Sequence, residues 1–258
     1  MATSHHQLQS SRFELKYVIQ ERCARAVRDF LRGYLVVDEH ADTSNGNQYP
    51  VHSLYLDNGN YALYNSTIHG HKNRFKLRAR FYNEKPNSPI FFEIKRRHND
   101  VILKQRAGVK RDSIHRLMAG HFPRIDDLAK SDGNGFGPLR NFTALRNRLN
   151  ANGKVLVSYM REAYVTPNDN SVRVTFDREL QTAAYRGIFA LGAMAIRPVR
   201  LEGVVLEIKF TDAFPTWLRE MVRVFDLERR PFAKYVTCVD ALHKFELLMS
   251  PTYQEVIG

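Results

Sequence analysis

Cysteine is nearly absent: Cys23 and Cys238 are the only two in 258 residues, and neither sits in a metal-type spacing. That excludes a disulfide-stapled scaffold and a thiolate zinc centre, and it leaves both thiols as small core residues in a reduced cytoplasm. Long apolar runs are missing too. FALGAMAI (189–196) comes nearest, far short of the roughly 18 residues of a membrane span. MATSHHQLQS lacks the apolar centre of a secretory leader, so a soluble, cytoplasmic protein is expected. No repeat, low-complexity tract or linker divides the chain, which reads as one domain over 1–258 with a core from about 12 to 248. The glycine-rich KSDGNGFGP (130–138) lacks the Gly-Lys-Ser/Thr ending and the preceding strand of a phosphate loop, and reads as a connector. His69, His71 and His98 have no ligand spacing and read as surface loop residues.

Acid is in deficit. With 27 Asp and Glu against 39 Lys and Arg the chain carries +12, so its natural partner is an anion: nucleic acid, an anionic membrane, or a phosphorylated small molecule or polymer. A hydrophobic fraction of 43% and a charged fraction of 26% are those of a globular protein with a real core.

What is present is alternation. FELKYVI (13–19), VHSLYLD (51–57, after a polar loop ended by Pro50), RFKLRARFY (74–82), FFEIKRR (91–97), VILKQRAG (101–108), VLVSYMREAYV (155–165), SVRVTFDREL (171–180) and GVVLEIKF (203–210) read as strands. The two that flank HND read as a hairpin. Helical spacing appears in 20–35, 60–66, RDSIHRLMAG, PLRNFTALRNRLNA, 212–227 and 234–249, where Trp217 reads as the anchor of a covering helix. One face of nearly every strand carries fixed charge: Glu14 and Lys16; Arg74, Lys76, Arg78 and Arg80; Glu93, Lys95 and Arg97; Lys104 and Arg106; Arg161; Arg173 and Asp177; Glu207 and Lys209. A sheet with one solvated face would account for plain alternation. Cations recurring at matching depths, with helices that need the apolar face, point instead to an α+β fold. In it an antiparallel β-barrel, closed or nearly so, has a cationic lumen and helices packed outside. About eight strands leave room for one thin ligand, and crowded cations demand anionic counter-charge. Phe75, Phe81, Phe92 and Phe176 alternate away from the charges, which argues against a groove for single-stranded nucleic acid; duplex is too wide.

The ordered segments Arg12-Phe13-Glu14-Leu15-Lys16-Tyr17, Ser53-Leu54-Tyr55-Leu56-Asp57, Arg78-Ala79-Arg80, Phe92-Glu93-Ile94-Lys95, Tyr159-Met160-Arg161, Val172-Arg173-Val174, Leu206-Glu207-Ile208-Lys209 and Phe232-Ala233-Lys234-Tyr235 resemble the VTC domain. This is the catalytic domain of the vacuolar transporter chaperone polyphosphate polymerases, in the triphosphate tunnel metalloenzyme (CYTH-like) superfamily. The resemblance implies a tunnel in which ATP's terminal phosphoryl group passes to a growing inorganic polyphosphate chain, with Mn²⁺ or Mg²⁺ as cofactor. ATP, pyrophosphate and polyphosphate would be the partners; the oligomeric state is left open. Carried over by position, Lys16, Arg78, Arg80, Lys95, Arg161, Arg173 and Lys209 form the catalytic set. Arg74, Lys76, Lys104, Arg106, Lys234 and Tyr235 bind phosphate, and Glu207 holds the metal, with Glu14 and Glu93 as further candidates. Such residue types suit a loose phosphoryl-transfer transition state, which needs positioning and positive charge rather than a dedicated base.

Departures bear on the reading. The superfamily often carries Glu-x-Glu-x-Lys on its first strand, but Arg12 leaves only Glu14-x-Lys16, which favours the polymerase-like branch over the triphosphatases. Pro231 and Ala233 alter the stretch before Lys234, so that one phosphate contact implied by the resemblance is either lost or replaced by Arg230. Without the sensing and membrane modules of the fungal enzymes, coupling to translocation is not expected. Glu207 has a structural alternative as an ion-pair partner of Lys209 or Arg161. Three other activities fit the same charge: a tripolyphosphatase or nucleoside triphosphatase in the same tunnel, a polyphosphate-binding module, and a basic nucleic-acid binder.

Overall fold

The computed structural model describes residues 12–248, apart from 100, 131, 168, 170 and 212. The start of the chain, with its expected lack of a leader, lies outside the described residues, as do parts of the HND link, of the 130–138 connector and of the 166–170 link between two strands, the start of the helix placed at 212 and the side chain of Arg12. In chain order the elements are β1 (Arg12–Ile19), α1 (Glu21–Leu31), β2 (Val36–Val37), β3 (Gln48–Asp57), α2 (Ala62–Ile68), β4 (Asn73–Phe81), β5 (Ile90–His98) and β6 (Val101–Val109). They continue with α3 (Ile114–Met118), α4 (Phe136–Leu149), β7 (Asn152–Val165), β8 (Val172–Ala184), β9 (Arg197–Pro198), β10 (Val204–Thr211), α5 (Thr216–Val224) and α6 (Lys234–Leu248).

All strands join one antiparallel sheet in the order β1-β10-β8-β7-β3-β4-β5-β6, with β2 on β7 and β9 on β8. It curls until β1 and β6 approach with Cα atoms within 8 Å, but no ladder joins these edges. The barrel is therefore open along one seam rather than closed by hydrogen bonds. Side chains bridge the interior near it: Lys95 of β5 reaches Glu14 of β1 at 2.7 Å.

The outer face is apolar and covered in two places. Phe81, Phe92, Leu77, Ile94 and Val109 pack with Leu117 and Met118 of α3 and Leu139 and Phe142 of α4. Tyr17, Val174, Phe176, Leu206 and Ile208 pack with Val27 and Leu31 of α1 and Leu218 and Met221 of α5. FALGAMAI does not span anything. It is a bend around a short 3-10 turn at Leu191–Ala193, and Phe189, Leu191, Met194 and Ile196 lean on the first cluster. Among the described residues no helix is long and apolar enough to cross a membrane.

One helix departs from the expected arrangement. Tyr235, Cys238, Val239 and Leu242 of α6 pack against Tyr55, Val155, Val157 and Tyr159. These strand residues share the face of Ser53 and Arg161 by register and alternation. The inner face of β7 is apolar before Arg161, so it needs a cover of its own, and α6 supplies it from inside. This brings Lys234, the first residue of α6, to the lumen.

Smaller differences have local causes. β3 begins at Gln48 and runs through Pro50. Pro50 is tolerated because β3 there pairs only with β7, its pairing with β4 starting at His52. β7 starts three residues earlier than its apolar run. Its register against β8 shifts between Ser158 and Met160, across from Glu179 at φ 51. α4 takes Phe136 to Pro138 out of the expected connector, since proline is accepted in a first turn. α5 starts only after Pro215, which fixes its N-cap. The hairpin of β5 and β6 forms as expected, with Asn99 at φ 52 in its turn.

Candidate functional site

Register puts the charges in rows across the concave face. On β1 and β10 they form a checkerboard: Glu14 opposite Lys209 and Lys16 opposite Glu207. On β4, β5 and β6 the row Arg78-Glu93-Arg106 alternates in sign, but the next row is Lys76-Lys95-Lys104. Like charges directly opposite are destabilising; Glu14 answers Lys95 and Glu93 answers Lys104, which leaves Lys76 to an anion from outside the protein.

Three adjoining cavities follow the interior, and Lys95 borders all of them. A wide one of about 760 Å³ is lined by Arg173, Lys104 and Arg106 as well as Arg78, Arg80 and Arg161. A narrow one of about 80 Å³ gathers Lys16, Lys76, Arg78, Arg80, Arg161, Lys209, Lys234 and Glu207. The third, about 320 Å³, opens past Arg74, Lys76 and Lys16 towards Arg97, Arg229 and Arg230. Every expected site cation thus faces one passage. Arg230 lies at the second opening beside Glu228 at 3.6 Å. Tyr235 is the exception among the expected phosphate ligands. Its hydroxyl donates to Asp57 at 2.8 Å and its ring stacks on Tyr55 at 4.8 Å, so it supplies a wall rather than a donor.

Most of the cations hold a carboxylate. Glu93, fully buried, takes Arg78 at 2.6 Å, Lys104 at 2.7 Å and Arg106 at 3.3 Å. Asp177 takes Arg161 through a two-pronged pair at 2.7 and 2.8 Å, and Lys234 at 2.7 Å. Glu14 binds Lys95 at 2.7 Å and Lys16 at 3.0 Å. Lys209 meets Glu207 at 3.1 Å, and Arg173 meets Asp38 at 2.7 Å. Two are left over. Arg80 makes its hydrogen bond to Ser53 Oγ at 3.2 Å and lies 3.9 Å from Glu93. Lys76 has no carboxylate partner among the described residues. Burial pushes its ammonium down to about 7, with Lys16, Lys95, Arg78 and Arg74 adding to the effect.

Burial also lowers Lys104, to about 7, and Lys209, to about 8, although Glu93 and Glu207 respectively oppose it. Burial raises Glu93 and Glu207, but their cations outweigh it. Arg78, Arg80 and Lys104 hold Glu93 well below the carboxylate range, and Lys209, Lys16 and Lys95 do the same for Glu207. Both are ionised throughout the neutral range.

The alternation of aromatics is only half as expected. Phe81, Phe92 and Phe176 are buried on the outer face and Phe75 leans on it. Tyr49, Tyr82 and Phe91, however, line the wide cavity among the cations, and Tyr55 and Tyr159 line the narrow one. Parity could have found them: Phe91 stands two residues before Glu93 and Tyr82 two after Arg80.

The chain is 22% identical over 228 residues to vacuolar transporter chaperone complex subunit 4 of Trypanosoma cruzi, a match over 75% of this chain and 28% of that protein. It therefore spans about 28% of the curated relative's length. Among solved structures it is similar to the PH1819 protein from Pyrococcus horikoshii OT3, with 13% identity, a TM-score of 0.45 and coverage of 90% of this chain and 99% of that one. The family model for the VTC domain matches residues 11–243, and by that match the chain belongs to the VTC domain family.

Proposed function

We propose that the chain is a polyphosphate polymerase, an ATP-polyphosphate phosphotransferase working inside this passage. The observation that carries the reading is the lysine row Lys76-Lys95-Lys104 set in a passage with an opening on either side of its narrow part. A chain of phosphates neutralises successive rows of cations and leaves through the far side, whereas a hydrolase of small triphosphates has no use for a second cationic opening. Two free thiols agree with a reducing, cytoplasmic setting.

In this reading a terminal oxygen of the polyphosphate, already ionised, attacks the γ-phosphorus of ATP; the bond to the β-phosphate oxygen breaks and ADP leaves. Arg78, Arg80, Arg161 and Lys209 hold the phosphates in line and take up the charge that develops, while Glu93 and Asp177 fix the forks of Arg78 and Arg161. Among the described residues no group of three or more His, Cys, Asp and Glu is arranged to hold a metal by itself. The Glu14 and Glu207 carboxylates lie within hydrogen-bonding reach of each other. Such a pair fits Mg²⁺ or Mn²⁺ of the kind that phosphate oxygens complete. When bound, the ion would neutralise phosphate charge. Glu93, enclosed by Arg78, Lys104 and Arg106, is the poorer candidate.

Incubation of the protein with ATP, Mn²⁺ and pyrophosphate is expected to give a phosphate ladder on a gel. Free phosphate without a ladder would make it a triphosphatase of the same fold, and no turnover with retained polymer binding would make it a binding module.

Proton uptake gives a second test. Lys76 and Lys104 at about 7 and Lys209 at about 8 are partly neutral in the empty passage, and a phosphate chain favours their charged forms. Binding therefore takes up protons and weakens as pH rises. Above about pH 7.5 the second phosphate ionisation, with a pKa of about 6, is complete. From there to about pH 9 each proton taken up costs about ten-fold in tripolyphosphate affinity per pH unit, and the three lysines together take up about two or more. Calorimetry in two buffers of different ionisation enthalpy reads the uptake directly; a flat profile would contradict it.

A further inference from the structure

The wide end of the passage holds groups that a phosphate chain cannot use. Phe91, on the inner face of β5, belongs to none of the three apolar clusters of described residues. Its cross-strand neighbour is Gly108, which puts no side chain over the ring. The Arg106 guanidinium lies over Phe91 with Cζ 3.5 Å from the ring centroid, and it also reaches Tyr82 Oη at 3.4 Å. Tyr82 stands 6.1 Å from Phe91 and 6.2 Å from Tyr49, ring centre to ring centre. All four line the 760 Å³ cavity whose depth carries Arg78, Arg80 and Arg161.

The wall behind them is fixed. In the turn after β4, Arg111 Nε donates to Ser88 O at 3.1 Å, and the same guanidinium also bonds Asn83 O. Glu84 accepts from Leu191 N at 2.8 Å. A turn tied at both sides presents Asn83, Ser88 and Pro89 to the cavity without reordering on binding.

A partly buried aromatic ring under a stacked guanidinium is a surface that a flat heteroaromatic base recognises, because the guanidinium plane and the open part of the ring can both stack on it. From this arrangement we infer that Phe91, Tyr82 and Arg106 form a stacking platform for the base of an incoming nucleoside triphosphate, with its phosphates pointing to Arg80 and Arg161. The inference rests on the polymerase reading for the direction of the phosphates, and it orients the passage: nucleotide enters at the Phe91 end, and polymer leaves past Arg74 and Arg230. It also reverses one conclusion drawn from alternation alone, that the basic face lacks stacking groups. Since every base has a ring face, the platform favours nucleotide over bare tripolyphosphate without choosing strongly among bases.

The test is binding of ATP, GTP and inorganic tripolyphosphate to the full chain by calorimetry at one pH and salt. Phe91→Ala and Phe91→Leu are expected to weaken ATP and GTP about ten-fold and tripolyphosphate less than about two-fold. Phe91→Trp should restore nucleotide affinity, with its fluorescence quenched by ATP. Melting curves of the same variants check that they are folded, and Leu keeps bulk if Ala does not fold. Equal losses for ATP and tripolyphosphate, or no loss for either, would overturn the platform. So would displacement of ATP by a short single-stranded oligonucleotide at matching affinity, which would make the rim a strand groove. If wild-type protein bound ATP but not tripolyphosphate, the polymerase reading would fail while a Phe91-dependent nucleotide site stood.

Discussion

Arg80→Ala is expected to lower the turnover number for phosphoryl transfer about 10²–10³-fold, the loss typical of removing one preorganised donor to a transition-state charge. The choice of Arg80 over its neighbours follows from how each cation is occupied. Arg78 is held by Glu93 and Tyr55, and Arg161 by Asp177. Arg80 is just as buried, yet among the described residues its only hydrogen bond is from Nε to Ser53. The far side of its fork is free for a phosphate, and that fork gives two parallel bonds where an ammonium gives a point charge. Arg80→Lys should therefore recover only part of the rate. Removing Arg80 relieves repulsion with Arg78 but gives up its attraction to Glu93 and its buried packing, and the fold favours its charge on balance, so the variant should melt somewhat lower than wild type while Arg80→Lys stays closer to it. Arg173→Ala offers the contrast. Arg173 lies in the wide cavity, tied to Asp38, and its loss should raise KM more than it lowers kcat. A kcat loss under about ten-fold for Arg80→Ala, with folding intact, would remove it from the reaction centre.

The strands could be read from the sequence because their two faces differ so sharply. In β4 the series Phe75, Leu77, Ala79, Phe81 against Arg74, Lys76, Arg78, Arg80 fixes both the strand and which side is the lumen. β2 and β9, of two residues each, offer no period to detect. The side of the sheet that α6 covers was also beyond reach, since Tyr235, Cys238 and Val239 are equally apolar against either face. The candidate cations were legible by alternation, but their partners were not. That Glu93 sits under Arg78 and Arg106 follows from cross-strand register, which the chain reveals only once folded. The aromatic rim is legible by the same parity: Phe91 and Phe92 are adjacent in β5, so one faces the cavity and the other the outer cluster.

Glu93→Gln is expected to have the largest effect on stability. The carboxylate is fully buried and neutralises Arg78, Lys104 and Arg106, with Arg80 at 3.9 Å. Glutamine keeps the shape and removes the charge, leaving buried cations unpaired. Removing one partner from such a cluster costs about 3–5 kcal/mol, which for a chain of this size lowers Tm by about 10 °C. The sign with pH follows from the depressed carboxyl. Glu93 is ionised in the folded protein well below the ordinary range, so its stabilisation is full above the unfolded pKa of about 4.3 and fades as pH falls towards the folded value. The gap in Tm between wild type and Glu93→Gln should therefore hold at neutral pH and shrink below about pH 4. Tripolyphosphate supplies the missing counter-charge, so a saturating amount should raise the Tm of the variant by more than that of wild type. A variant melting within about 2 °C of wild type at neutral pH would mean that water, not Glu93, balances these cations, and that the passage is more solvated than its side-chain packing implies.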